Sequence, residues 1–278
     1  MSLFVASLNS GSNGNCYYVG NQEEAVLIDG GISCREVEKR MKRLGLSIKN
    51  VKAVFVSHEH GDHIHGISTL AKKHRIPVHI TPGTLQYGNL KISEDRVFAI
   101  RAHEPTCCGN LKVIAFPKFH DAFDPHSFIV SSDTVNVGIF TDIGIACENV
   151  IRYFKQCHAA FLEANYDEVM LENGGYPRAL KSRISSDKGH LSNKQAMQLF
   201  ITHRPSFMTH LFLSHLSKHN NTPKIVKEMF FPVAGNTQII IASRDRESKL
   251  YHIRKTDTPT IVSKEDTTLQ RQLSLFQL

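Results

Sequence analysis

Three histidines and an aspartate fall within six residues of the run Ser57-His58-Glu59-His60-Gly61-Asp62-His63. Imidazole and carboxylate together suit Zn, Mn or Fe better than alkali or alkaline-earth ions. On an extended segment His58 and His60 project from one face. Asp62 and His63 then sit at a turn into a helix and face a second cation. A structural site closes itself with four ligands, so a dense cluster that needs more donors from elsewhere reads as catalytic. The rival reading is a His-rich surface tract that takes metal adventitiously. It does not account for the apolar run 51–56 that leads directly into the cluster.

Further donors follow other apolar runs. His120-Asp121 comes after 113–116, Asp142 ends 137–140 and His215 ends 211–213. Ends of strands are where active sites gather in layered α/β folds. His103 and His126 compete with His120 for the first of these places. Zinc lowers the pKa of bound water to about 7, and two cations about 3.5–4 Å apart clamp the attacking and leaving oxygens. That is chemistry for hydrolysing an ester, amide, lactone or phosphodiester.

The elements that must carry these residues alternate along the chain. The patterning predicts a strand over 2–8, a polar Gly-rich loop over 9–15, and a hairpin of 16–19 with 25–28 that ends at Asp29. Ser33 caps a helix running to about Leu44, with Val37, Met41 and Leu44 on one face. A strand over 51–56, a helix over 64–74 and a strand over 77–80 follow. Strands are expected over 96–100, 111–116, 127–131, 135–140, 159–162 and 208–213. Pro223 sits in the first turn of a helix, and strands over 238–242 and 249–253 close the pattern. Periodicity alone supports one α/β or α+β domain over 1–254.

Length permits a large core, and 41% hydrophobic with 21% charged residues is ordinary for a soluble protein. No apolar run approaches a membrane span, and the first residues lack the basic and apolar regions of a signal peptide. Six cysteines without a CxxC pair argue against a secreted disulfide framework, so a reducing cytoplasm is expected. A net charge of +7 suits a polyanionic partner such as nucleic acid. From 255 to 278 the composition turns polar and aperiodic, a tether that ends in Gln272-Leu273-Ser274-Leu275-Phe276.

The run at 58–63 resembles the HxHxDH signature of the metallo-β-lactamase fold superfamily. The resemblance extends to an early Asp29, then His120, Asp142 and His215, in the superfamily's order. It implies an αβ/βα four-layer sandwich with two divalent metal ions (Zn, Mn or Fe). His58, His60 and His120 would hold one and Asp62, His63 and His215 the other, with Asp142 bridging. Asp29 would orient a ligand from behind. His120 is preferred over its competitors because Asp121-Ala122-Phe123-Asp124-Pro125 follows it, as in one branch of the superfamily.

That branch is the bacterial YycJ/WalJ/VicX type, related to nucleases such as tRNase Z. Leu162-Glu163-Ala164-Asn165 and Lys188-Gly189-His190-Leu191 resemble its two further runs. They imply that His190 acts on a phosphate and that Glu163 orients it. Leu162 and Ser192-Asn193 depart from the nuclease pattern. The 72 residues between Asp142 and His215 leave no room for an inserted β-CASP domain. The loop 10–15 reads either as a plain hairpin loop or as an anion contact through Asn13 and Asn15. Gln272, Leu273, Leu275 and Phe276 resemble the pentapeptide that docks on the DNA sliding clamp; a tail packed on its own domain is the alternative.

Together these features predict a dinuclear phosphodiesterase acting on nucleic acid, DNA favoured over RNA, in which a metal-held hydroxide attacks phosphorus and Asp62, His190 and Glu163 serve catalysis. A DNA exonuclease of repair or replication is the specific expectation. A small-molecule ester, lactone or thioester hydrolase and a non-catalytic regulatory metal protein are the alternatives.

Overall fold

The computed structural model describes residues 2–255. The tail with Gln272, Leu273, Leu275 and Phe276 lies outside the described residues.

The first half comprises β1 (Leu3–Asn9), β2 (Cys16–Gly20), β3 (Ala25–Ile28), α1 (Cys34–Arg43), β4 (Val51–Phe55), α2 (Gly61–Ile64), α3 (Ile67–His74), β5 (Val78–Ile80), α4 (Pro82–Gly88) and β6 (Val97–Ala99). The second comprises β7 (Pro105–Cys108), β8 (Leu111–Pro117), β9 (His126–Ser132), β10 (Val135–Phe140), α5 (Glu148–Phe154), β11 (Ala159–Glu163), α6 (Glu168–Asn173), α7 (Arg178–Ile184), α8 (Asn193–His203), β12 (His210–Ser214), α9 (Pro223–Phe230) and β13 (Gln238–Ile241). β14 (Tyr251–Ile253) returns to the first half and pairs with β1.

Local chemistry explains the boundaries. Ser33 accepts the Glu36 N–H at the start of α1, whose Val37 and Met41 lie one turn apart and are buried. α8 opens with a full capping box between Ser192 and Gln195. α9 begins at Pro223, under a Thr222 cap. β3 and β11 are buried along their whole length, as central strands covered on both faces must be.

The strands form two seven-stranded sheets, ordered β14-β1-β2-β3-β4-β5-β6 and β13-β12-β11-β10-β9-β8-β7. In each sheet the pairing turns from antiparallel to parallel, at β3 in one and at β10 in the other. Val5, Val19, Val26 and Phe55 meet Val113, Phe128, Val137, Phe161 and Phe212 between the sheets. On one outer face Val37, Met41 and Leu70 cover Leu27 and Val54. On the other, Phe154, Phe200 and Phe230 cover Phe140, Leu162 and Leu213. The result is the four-layer αβ/βα sandwich.

The structure differs from the patterning at four places. The helix expected over 64–74 is split into α2 and α3. Gly66 interrupts it: its N–H donates to Gly30 O at 2.7 Å, and a Cβ there would come within 2.1 Å of Ile32 O. β7 and α4 carry too little periodicity to be read from sequence. Leu44 is the C-cap of α1 and is only half-buried.

Candidate metal centre

The C-terminal ends of the parallel strands converge on one edge of the sandwich. β3 leads to Asp29, β4 to His58, β10 to Asp142 and β12 to His215, and β11 ends on Glu163. Three of these residues hold left-handed backbone: Asp29 (φ 61°), Asp142 (φ 53°) and His215 (φ 56°). Such conformations cost non-glycine residues about 1–3 kcal/mol each and persist only where surroundings impose them. The imposing bonds are visible. Asp29 N–H donates to Phe55 O at 2.8 Å. His215 N–H donates to Ser10 Oγ at 2.8 Å. Asp142 is flanked by Lys118 Nζ on Thr141 O at 2.6 Å and by Ile143 N–H on Glu163 Oε2 at 2.7 Å.

Four overlapping donor groups result at this edge among the described residues, each with ligand atoms within 4.8 Å of one another: His58, His60 and His120; Asp62, His63 and His215; His58, His63 and Asp142; and Asp142, Glu163, His190 and His215. Asp142 stands between the first two. Its carboxylate is 3.2 Å from His63 Nε2, 3.2 Å from His215 Nδ1 and 3.9 Å from His120 Nε2. His103 is instead exposed and bonded to the Tyr153 hydroxyl, and His126 faces Asp124.

Each inner histidine is held at Nδ1 by an outer partner. Asp29 Oδ2 holds His63 Nδ1 at 2.7 Å, and Asp29 Oδ1 accepts the Ser57 N–H. Glu163 Oε1 holds His215 Nδ1 at 2.9 Å. Ser57 Oγ lies 2.8 Å from His58 Nδ1, and Gly189 O lies 3.1 Å from His120 Nδ1. Outer partners of this kind fix tautomer and ring orientation around a metal. Nε2 of His120, Nε2 of His215 and Oδ2 of Asp142 are buried with no hydrogen-bond partner among the described residues. Buried polar atoms are otherwise almost always satisfied, so these inward-facing donors fit a divalent cation.

The charges agree. Burial opposes a proton on His63, but the Asp142, Asp29 and Asp62 carboxylates overcome it and hold the imidazole well above its usual range. His215 suffers the same burial and is raised to about 10 by Asp142, Asp62 and Glu163. Burial would raise Asp62 and Asp142, yet the neighbouring imidazoles bring both down. His58 and His120 go the other way: burial lowers both, His120 to about 4. The pocket thus concentrates negative charge that demands cations, with neutral imidazoles ready on one side.

Glu163 is buried and engages four groups. Oε1 also holds His190 Nδ1 at 2.8 Å, and Oε2 accepts the N–H groups of Ile143 and Leu191. Burial would raise its carboxyl, but the histidine partners bring it to about 2. His190 keeps 20% of its side chain exposed, unlike the buried His58, His63, His120 and His215.

The two asparagines of the loop 10–15 are not brought together. Asn13 sits at the surface, where its side-chain N–H donates to Arg244 O. Asn15 is fully buried, and its amide nitrogen lies 3.2 Å from Asp62 Oδ2 and 3.1 Å from His63 Nε2. Its amide thus meets the inward-facing atoms of two candidate ligands. Gly31 permits this packing, since a Cβ there would overlap Asp62 O at 1.6 Å. Sequence reasoning passed over Ser10, Ser57 and Lys118. Ser57, adjoining the cluster and polar at the end of an apolar strand, carried the one available signal.

The profile of the metallo-beta-lactamase superfamily matches residues 10–148. Exodeoxyribonuclease YycJ of Bacillus anthracis is 32% identical over 230 residues, 82% of this chain and 87% of that protein. Exodeoxyribonuclease WalJ of Streptococcus pneumoniae serotype 2 is 28% identical over 225 residues, 78% of this chain and 83% of that protein. Among solved structures, the metallo-beta-lactamase fold protein YhfI from Bacillus subtilis superposes with a TM-score of 0.70 at 13% identity, covering 91% of this chain and all (100%) of that one. The chain belongs to the metallo-β-lactamase superfamily and is a hydrolase of that fold. Membership implies a divalent-metal site, which the imidazole–carboxylate cluster fits.

Proposed function

We propose that this hydrolase is a two-metal phosphodiesterase acting on nucleic acid, and specifically a DNA exonuclease of repair or replication working in the cytoplasm. The observation that carries the reading is the double grip of Glu163 on His215 and His190. It ties a partly exposed imidazole to the ligand set without burying it among the ligands. The names of the two relatives support DNA as substrate, and the net charge of +7 suits a polyanion.

His58, His60 and His120 would hold one cation and Asp62, His63 and His215 the other, with Asp142 shared. Zn, Mn and Fe all suit these donors. Two bound cations would supply a nucleophile from water at neutral pH and neutralise charge on the phosphoryl oxygens. Asp29 and Glu163 keep the ring nitrogens of His63 and His215 aimed inward. His190, with Nδ1 held by Glu163, has Nε2 for the scissile phosphate and for the proton of the departing oxygen. Exposed Arg183, ion-paired to Asp121 beside His120, places a guanidinium at the rim.

End-labelled single- and double-stranded DNA and RNA, incubated with metal-loaded protein, test this. Stepwise loss of nucleotides from one DNA end, abolished by chelation, is expected. Intact nucleic acid beside turnover of a lactone or thioester would replace the reading with a small-molecule hydrolase. Turnover of neither would favour the regulatory protein. The same reading gives Gln272, Leu273, Leu275 and Phe276, outside the described residues, the task of docking on a bacterial sliding clamp. A peptide of residues 269–278 should bind a clamp and lose binding when Leu275 and Phe276 both become Ala, because a few apolar anchors dominate such contacts.

A further inference from the structure

Two of the most exposed aromatic rings among the described residues lie side by side. Tyr87, near the end of α4, is 56% exposed, and Phe123, between β8 and β9, is 59% exposed. Their centroids are 4.1 Å apart and their planes 26° from parallel. Isolated surface rings are common, but this pair is held in place. Phe123 N–H donates to Glu59 Oε1 at 2.8 Å. Its ring lies against Gly83, where a Cβ would come within 2.4 Å of it.

The anchoring connects the rings to the metal centre. Glu59 stands between His58 and His60, and Phe123 is three residues beyond His120, hence within about 10 Å of chain. Phe119, 50% exposed, immediately precedes His120. Arg183 reaches the same loop through Asp121 and is 57% exposed. Rigid open rings and an accessible guanidinium therefore share the segment that carries a candidate ligand.

We propose that Tyr87 and Phe123 form a stacking platform for a nucleobase of a single strand whose neighbouring phosphate enters the metal centre. The proposal rests on the nucleic-acid reading above. An aromatic face accepts every base, so the platform is tolerant of sequence, as removal of successive nucleotides requires. It also selects for a strand whose base is free of its duplex partner, either single-stranded or frayed. A second copy of this chain covering the rings would bury them but would also obstruct the approach to the ligands.

The test is binding of a short phosphorothioate DNA strand carrying 2-aminopurine near its end to the metal-loaded protein. Stacking quenches this base. Quenching should disappear in the Tyr87→Ala, Phe123→Ala double variant, with Kd weakened about 5- to 150-fold, the range for losing one stacked base. Tyr87→Phe and Phe123→Tyr should retain both signals. Metal content and the unfolding midpoint of the alanine variant report that the fold is intact. Wild-type affinity and quenching in that variant would overturn the platform alone. A dimer that becomes monomeric in the alanine variant, with strand binding unchanged, would overturn it in favour of an interface between copies. Failure of the wild-type protein to bind any strand would instead be failure of the nucleic-acid reading.

Discussion

The loop after β4 carries four candidate ligands within six residues, whereas β10, β11 and β12 send Asp142, Glu163 and His215 one apiece from three strands. The first arrangement is local: its geometry depends on one turn, on α2 and on the outer hold of Asp29. The second depends on the parallel register that sets Phe140 beside Leu162 and Leu162 beside Leu213. One buried carboxylate, Glu163, links its parts. The contrast teaches that the cluster can bring donors together by itself, while the shared carboxylate and the partly exposed His190 exist only through the whole fold. Asp142, between the two, is where the halves become one site.

Asp142→Asn is therefore expected to have the largest effect. Turnover should fall by about 10³-fold or more, equivalent to about 4 kcal/mol of transition-state stabilisation. Elemental analysis should show fewer metals than in the wild-type protein. Full metal content and near-normal turnover would mean that the halves act separately, and the contrast would lose its centre.

His190→Ala should come next. Turnover should fall by about 10²–10⁴-fold, the usual contribution of a positioned acid or base, while metal content stays at the wild-type level. Loss of a metal on purification would make His190 a ligand. Removing the outer partners then compares the halves directly. Asp29→Asn and Glu163→Gln should each cost about 10–100-fold in metal affinity or activity, measured by chelator competition and turnover. Glu163→Gln should sit at the upper end, because Glu163 holds His215, His190, Ile143 and Leu191 together. Asp29 holds only His63 and the Ser57 turn. Equal losses would dissolve the distinction between a local and a distributed half.

The same distinction governs what was legible in the sequence. The cluster at 58–63 is readable because its donors are neighbours in the chain. His120, Asp142 and His215 are readable because each follows an apolar strand, and the run Asp121-Ala122-Phe123-Asp124-Pro125 after it favours His120 over His103 and His126. Glu163 and His190 came only from resemblance, since 27 positions separate them and no local pattern pairs them. Ser10 bonds His215 across 205 positions, and Lys118 bonds Thr141 across 23. No periodicity reports such pairings. Asn15 reads from sequence as a loop amide, but its burial against Asp62 depends on close packing at Gly31, visible only in three dimensions. The split at Gly66 is missed for a similar reason: the glycine is required by Ile32 and Gly30, not by its own neighbours in the helix.

The smallest expected effect compares two helix caps of equal chemistry. Ser33 caps α1 on the outer face of the first sheet, bonding Glu36 N–H at 3.3 Å. Ser192 caps α8 at Gln195 N–H at 3.2 Å, and its hydroxyl also bonds Glu168. Replacing either by Ala should cost about 1 kcal/mol of stability, or about 2–4 °C in Tm for a protein of this size. The functional consequences should differ. Ser192 lies two residues beyond His190, and the intervening Leu191 N–H is bound to Glu163, so loosening the first turn of α8 loosens the imidazole that meets the phosphate. Ser192→Ala should lower turnover a few-fold below the melting range, and Ser33→Ala should leave it unchanged. If Ser33→Ala lowers turnover as much, the ligand loop is not self-contained. Its geometry must then be maintained from α1 through Gly31 and Asp62, as the second half maintains its own through α8 and Glu163.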